Sequence, residues 1–343
     1  DQPLNPDVAK VGVRAVRVSG REAPELVQAL TKAGGLKFGA RTVGEAEMKQ
    51  MVADVRKLGD PARGEAVFRR KDQLCMRCHA IAGSGGQVGP DLSSVGASAQ
   101  IDYLIDSVIT PNKQVKENFH AVLVTTQQGL SYTGIKVQES PDTLVLRTAE
   151  DKEISIPTKD IDERKMGGSL MPDGLTDVLT RNEFLDLIRF LSELGRVGPY
   201  SVSKARLVRR WRALDATAEA RQALSSGGVP DGAALRWEPA YSTVSGELPL
   251  EDVPHIDAEA VVRCELEAST PGPVVLRLNT AKGLRLWLDR KPMEAKDATE
   301  VDVSAGVHTL TFALDLSQRK EPLRCEVEDK PGSPARVRVV GGK

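Results

Sequence analysis

The strongest chemical signal in the chain is the run Cys75-x-x-Cys78-His79. Two thiols at this spacing reach one edge of a porphyrin, where they can add across its two vinyl groups. The adjacent imidazole is then placed under the iron, so the run reads as an attachment signal for covalent haem c. Two other chemistries use the same residue types. A zinc half-site wants a second Cys or His pair, whereas Cys264 and Cys325 lie far along the chain without that spacing. A thioredoxin-like redox pair wants a preceding strand in a βαβ setting, and no such pattern precedes Cys75.

An iron held by His79 needs a ligand on its other face. Met171, beside Pro172 and just before a helical pattern, is the expected donor. Met166, next to Gly167-Gly168, and His120 are the competitors, and an open or water-bound iron is the remaining alternative. Met48, Met51, Met76 and Met293 read as gap-filling core residues, and His255 and His308 as structural. Methionine ligation would saturate the iron and raise its potential, favouring outer-sphere electron transfer over oxygen or peroxide chemistry.

The elements that must position these residues change period along the chain. Leu4, Val8, Val11, Ala15 and Val18 predict one buried helix face, and Pro24 to Gly34-Gly35 brackets a second helix. Thr42 and Glu45 have capping-box spacing ahead of a third, with Met48, Met51, Val52, Val55 and Leu58 on its buried side. A short helix over 61–70 leads into the cysteines, and a glycine-rich stretch expected to be flexible follows. Ile101, Leu104, Ile105 and Val108 mark another amphipathic helix. β-branched runs at 119–126, 130–137, 142–148 and 153–156 predict a small antiparallel sheet. Helical spacing returns over 181–194, a charged helix is expected over 201–223, and a loop over 225–232. Beyond Leu235 the pattern is nearly all β.

Around the cysteines the chain resembles class I cytochromes c, and more specifically the planctomycete-type haem-binding domain. The matching residues are Gly64-Glu65-x-Val67-Phe68, Gly89-Pro90-Asp91-Leu92, Tyr103-Leu104-x-x-Ser107-x-x-x-Pro111 and Met171-Pro172-Asp173-Gly174-Leu175, spanning about residues 59–195. The resemblance implies that the Pro90 carbonyl orients His79, and that Gly64 and Phe68 meet Leu187 and Phe190 where the first and last helices cross. The haem pocket wall is expected to include Phe68, Ile81, Leu92, Tyr103, Leu104, Ile188 and Leu191.

Residues 235–343 resemble the sandwich of protective-antigen-type sugar-binding domains, through Trp287-Leu288-Asp289 and Ala305-Gly306-Val307-His308. That family often binds calcium and glycan through an Asp-Asp pair, which this chain lacks, so a structural or docking role is expected, with glycan a secondary partner. Cys264 and Cys325 occupy inward positions, as a disulfide or as buried thiols.

The expected fold is multidomain α+β. A helical segment (1–58) resembles a helical-repeat remnant. An all-α cytochrome c core (59–198) carries a β insertion at about 119–160. A helical connector (199–234) leads to an all-β sandwich (235–343). The 343 residues exceed one ordinary core, and 40% hydrophobic with 28% charged residues suits a soluble globular chain. A net charge of -1 argues against general nucleic-acid binding, and no apolar run approaches the ~20 residues of a membrane helix. The chain starts at Asp1 and reads as a mature or trimmed product of the periplasm or cell exterior. The expected function is one-electron transfer by a single covalent haem, without catalysis, with electrons accepted from a protein partner such as a sugar or alcohol dehydrogenase. A haem enzyme or gas sensor, and a carbohydrate-binding protein with an accessory haem, are the alternatives.

Overall fold

The structure, a computed structural model, describes residues 3–39, 41–225, 228 and 232–340. The chain forms two compact units. One comprises the described residues through Ala80 together with Gly85–Ser201; the other comprises Ile81–Ser84 and the described residues from Val202 onward. No described helix is long and apolar enough to cross a membrane.

The first unit contains α1 (Pro6–Val18), α2 (Pro24–Ala33), α3 (Glu45–Leu58), α4 (Pro61–Arg69), the single turn α5 (Cys75–Cys78), α6 (Val95–Ser98), α7 (Ile101–Ile109) and α8 (Arg181–Glu193). Two-residue strands β1 (Ala80–Ile81) and β2 (Ser84–Gly85) follow α5. Helix α8 is the hub, burying Phe184, Leu185, Leu187, Ile188, Phe190 and Leu191 against α3, α4, α6 and α7. It starts in a full capping box, Thr180 with Glu183. Glu183 also binds Arg14 and Arg70. Burial opposes its ionisation, but the Arg14 bond, the Thr180 amide and the two guanidinium charges outweigh it and bring the carboxyl to about 2.

Where α4 crosses α8 there is no room for a side chain. A Cβ on Gly64 would lie 1.9 Å from the Asp186 carbonyl oxygen and 2.6 Å from the Phe190 Cβ. Phe68 stacks beside Phe190 with ring centroids 5.7 Å apart. The buried Asp186 carboxylate accepts from the Asp60 amide at 2.7 Å and from Arg63 Nε at 2.8 Å, tying the start of α4 to the same helix.

Three helical expectations need correction. The stripe Leu4, Val8, Val11 and Val18 is exposed; α1 instead buries Ala9 and Val13, small enough for Gly34 to pack against Ala9. Thr42 does not cap α3, whose N-cap is Gly44 without a side-chain bond, and Leu58 is exposed while Asp54 and Val55 are buried. Asp54 is drawn inward by an ion pair with Arg181 and a bond from Gln50.

The sheet between α7 and α8 is antiparallel in the order β6-β5-β4-β3-β7, with β3 (His120–Thr126), β4 (Ser131–Glu139), β5 (Thr143–Arg147), β6 (Glu153–Pro157) and β7 (Ile161–Ser169). Val122, Val124, Leu144, Leu146 and Ile156 form its core. The insertion therefore extends past the expected limit near 160. Strand β7 is an edge strand carrying Asp162, Glu163, Arg164 and Lys165, so it lacks the apolar alternation that reveals a strand. The expected antiparallel insertion is thus present, with five strands, while α3, α4, α6 and α7 pack on α8.

The second unit contains β8 (Arg210–Leu214), α9 (Ala218–Ser225), β9 (Trp237–Tyr241), β10 (His255–Ile256), β11 (Glu259–Thr270), β12 (Gly272–Leu278), β13 (Leu284–Leu288), β14 (Lys291–Met293), β15 (Ala298–Val303), β16 (Gly306–Asp315), β17 (Cys325–Asp329) and β18 (Arg336–Val339). One antiparallel sheet runs β14-β13-β16-β11-β8-β9, with β10 and β18 also on β11; a second runs β15-β12-β17. Their inner faces share a core that includes Trp211, Leu266, Leu276, Val301, Phe312 and Val327. The helix expected over 201–223 is therefore largely wrong. Trp211 and Ala213 point inward and Arg212 outward, a strand alternation masked by arginines, and helix begins only at Ala218. Of the expected 225–232 loop, residues 226, 227 and 229–231 lie outside the described residues. Cys264 and Cys325 are both buried, as free thiols in this structure.

The Trp287-Leu288-Asp289 and His308 segments meet within this unit. Asp289 and Arg290 form a two-residue turn with φ of 45° and 70°. The Asp289 carboxylate anchors it, accepting from the Thr309 amide at 2.8 Å and lying 2.6 Å from His308 Nδ1. The other ring nitrogen of His308 lies 2.8 Å from the Ser304 carbonyl, so both nitrogens face acceptors and the cation suits the site. Burial alone would lower the imidazole pKa, but the Asp289 bond, the Ser304 carbonyl and the Asp289 charge raise it above the ordinary value. The contribution to stability is complete below the unfolded histidine pKa of about 6.5 and is lost as pH rises through the higher folded value. Urea midpoints of this unit, read by tryptophan fluorescence, should fall over that interval. His308→Gln should remove the fall, and an equal slope in the variant would refute the assignment.

Candidate functional site

The residues around Cys75 form a closely packed cradle. Leu74 enters α5 in the left-handed region, φ 59°. The turn then closes through the His79 amide, which donates to the Cys75 carbonyl at 2.9 Å, and Met76 is buried beneath it. The glycine-rich segment that follows is not the flexible stretch expected from composition. Gly86 donates to the Met76 carbonyl at 2.8 Å and Gly89 to the Cys78 carbonyl at 2.7 Å, while Leu92 donates to Ala80 at 2.8 Å. A Cβ on Gly86 would lie 1.9 Å from the Arg77 carbonyl oxygen, and one on Gly89 would lie 2.5 Å from His79 Cε1. Glycine serves here for close approach.

The imidazole is fixed by its other contact, the Pro90 carbonyl 2.9 Å from Nδ1. Burial pushes the His79 pKa down, with the Pro90 bond opposing it, so the ring is neutral near pH 7. A neutral ring that donates from Nδ1 keeps its lone pair on Nε2, the form that binds a metal. Burial pushes the Cys75 thiol up to about 12, and it raises Cys78 also. Thiols held neutral in this way lack the lowered pKa of a dithiol redox motif. Among the described residues no group of three or more His, Cys, Asp or Glu could hold a metal ion, so a zinc site has no further ligands.

The structure thus brings Cys75, Cys78, His79 and Pro90 together. Phe68, Leu104, Ile188 and Leu191 are buried on α4, α7 and α8, and Leu92 is half-buried. Tyr103 is 43% exposed on α7 and is no buried wall residue, because its helix turns Leu104 and Ile105 inward. Ile81 is buried but belongs to the second unit. Met171 is half-buried in the turn between β7 and α8, where its amide donates to Ser169 Oγ at 3.0 Å. Met166 lies in β7 and is 67% exposed. His120 begins β3, opposite Ser169.

Sequence reading missed the polar clasp on the outside of the cradle. Arg147, at the end of β5, donates to the Gln87 carbonyl at 3.2 Å and to Gln87 Oε1 at 2.7 Å. Asp151, in the turn before β6, accepts from the Gln87 amide at 3.3 Å and pairs with Arg147 at 3.5 Å. No local pattern announces such a contact, since its members are 60 and 64 positions from Gln87.

No protein-family model matches the chain, and no curated protein matches it. Among solved structures it is similar to an anti-sigma factor domain-containing protein from Clostridium clariflavum, with 12% identity over 66% of this chain and 73% of that one and a TM-score of 0.18. The family resemblances drawn from short motifs are therefore corrected. Neither the class I cytochrome c and planctomycete-type assignment nor the protective-antigen-type assignment has a matching family. The first unit combines its helices with a five-stranded sheet. Short runs such as Gly89-Pro90-Asp91-Leu92 encode local turns, and local turns do not define a family.

Proposed function

We propose that Cys75 and Cys78 carry one covalently attached haem c, that His79 ligates its iron, and that the protein passes single electrons through this group without catalysing a reaction. The observation that carries the reading is the 2.9 Å contact between His79 Nδ1 and the Pro90 carbonyl, which orients the ring and reserves Nε2 for a metal. The glycine-lined cradle holds that ring in place, and the neutral thiols argue against a dithiol redox reaction. When bound, the group supplies an Fe(III)/Fe(II) couple.

The chain's own residues bind and orient. Cys75 and Cys78 would supply the sulfurs that hold the group and His79 a nitrogen ligand to its iron, with the Pro90 carbonyl fixing the tautomer. Met171 would supply the second iron ligand. The same reading puts maturation of the protein in the periplasm or outside the cell, with a dehydrogenase of sugars or alcohols as the proposed electron donor.

Expression of the full chain with a periplasmic haem c maturation system tests the reading. The expected product is coloured, heavier by one haem, and unreactive to carbon monoxide when reduced. Cys75→Ala/Cys78→Ala should be colourless and of unmodified mass. Wild-type protein without added haem mass overturns the proposal, and carbon monoxide binding would leave the haem but remove Met171 as ligand.

A further inference from the structure

We infer that Arg147 and Asp151, on the β5–β6 hairpin of the inserted sheet, are positioning residues for His79, acting through Gln87 and the loop that ends at Pro90. The inference rests on the haem reading above and gives the insertion a role in it. Gln87 is gripped at three points: its amide by Asp151 (3.3 Å), its carbonyl by Arg147 (3.2 Å), and its side-chain oxygen by Arg147 (2.7 Å). The gripping residues brace one another, since Arg147 also pairs with Asp151 at 3.5 Å and with Glu153.

The gripped residue lies between the two amides that close the loop onto the Cys75–Cys78 turn. Gly86 is bonded to Met76 and Gly89 to Cys78. Gly89 packs on the His79 ring, and Pro90 supplies the acceptor for its Nδ1. A displacement of Gln87 is therefore carried in two or three residues to the imidazole. Without the clasp, Gln87 is an exposed side chain on a loop with two glycines beside it, free to shift. The hairpin joining β5 and β6 is a rigid support because its strands are paired along their whole length, from Thr143 with Pro157 to Arg147 with Glu153.

Positioning can be told apart from simple charge. Arg147→Gln removes a positive charge and Asp151→Asn a negative one, so a through-space effect moves the haem midpoint potential in opposite directions. Loss of positioning acts in the same direction for both. A slackened bond from Nδ1 to Pro90 makes the imidazole a poorer donor and raises the midpoint.

The experiment measures two quantities on the full chain: amide hydrogen exchange at Gly86 and Gly89, and the midpoint potential of the haem-loaded protein. Both variants should exchange about tenfold faster at these amides, as expected for loss of a charge-assisted hydrogen bond, and both should shift the midpoint upward. Gln87→Ala, which changes no charge, should follow them. Unchanged exchange in all three variants, or midpoint shifts of opposite sign in the two charge variants, overturns the inference. If the wild type carries no haem, the functional proposal fails by mass alone, and the exchange rates still decide whether the clasp holds the loop.

Discussion

On the proposed haem reading, Gly89→Ala is expected to leave the group attached to Cys75 and Cys78 but to unseat His79. The added Cβ would lie 2.5 Å from His79 Cε1, 2.7 Å from Nδ1 and 2.9 Å from Nε2, so it meets the ring face and not the end of a pliable chain. Gly89 is not among the residues of positive φ, so alanine suits the backbone and the conflict is one of space. Relief requires either that the ring leave the Pro90 carbonyl or that the loop lift from Cys78, breaking the 2.7 Å bond from the Gly89 amide. Either movement spoils ligand orientation, which typically costs 10–100-fold in metal affinity or activity, roughly 1.4–2.7 kcal/mol. The proposed thioether bonds would be covalent and would survive, so mass spectrometry should still find the haem while the ferric absorption spectrum changes from low spin to high spin. A low-spin spectrum with the wild-type midpoint would show that the ring tolerates the methyl group and that the cradle is looser than its distances imply.

In the second unit, Arg319→Met should be the most damaging substitution of a single side chain. Arg319 is 0% exposed. Its Nε donates to Glu321 O at 3.0 Å, Nη1 to Thr280 O at 2.8 Å and Lys282 O at 3.3 Å, and Nη2 to Asn279 Oδ1 at 2.9 Å and Pro322 O at 2.8 Å. All five acceptors are neutral oxygens, so the guanidinium joins the 279–282 loop to the 319–322 loop as a fork of donors without a carboxylate partner. Burial lowers its pKa, with only the Glu321 charge in opposition. Methionine fills similar space but leaves several acceptors without donors, at about 1–3 kcal/mol for each that water does not reach. With two or more of these acceptors stranded, we expect a loss of about 3–5 kcal/mol. Lysine should rescue only in part, because one ammonium cannot reproduce the planar fork. The measurement is clean because Trp211, Trp237 and Trp287, the chain's three tryptophans, all lie in this unit, so their fluorescence in urea reports its unfolding. A midpoint within error of the wild type would refute the account.

What could be read from the amino acids alone was local. The tight turn that sets Cys75, Cys78 and His79 side by side was legible because these residues are neighbours in the chain. Pro61 and Gly34 mark helix ends through their own backbone constraints. The runs from Val122 to Thr126 and Val274 to Leu278 announce strands through alternation or β-branching. The failures share one cause: the deciding partner is distant in sequence. Val8 and Val11 have the periodicity of a buried face, yet the close approach of Gly34 to Ala9 selects the opposite side of α1. Asp54 goes inward because Arg181 meets it there. The arginines around Trp211 suggest a charged helix until pairing with β11 and β9 makes that segment a strand. Resemblance drawn from scattered short motifs fails similarly, since each motif describes a turn and none describes how the turns are assembled. The role proposed for the inserted sheet was beyond any reading of the chain, because the hydrogen bonds that Arg147 donates to Gln87 and that Asp151 accepts from it exist only once a paired hairpin has folded back over the glycine loop. Burial, clasping and ligand orientation are properties of packed pairs, and only the folded chain selects those pairs.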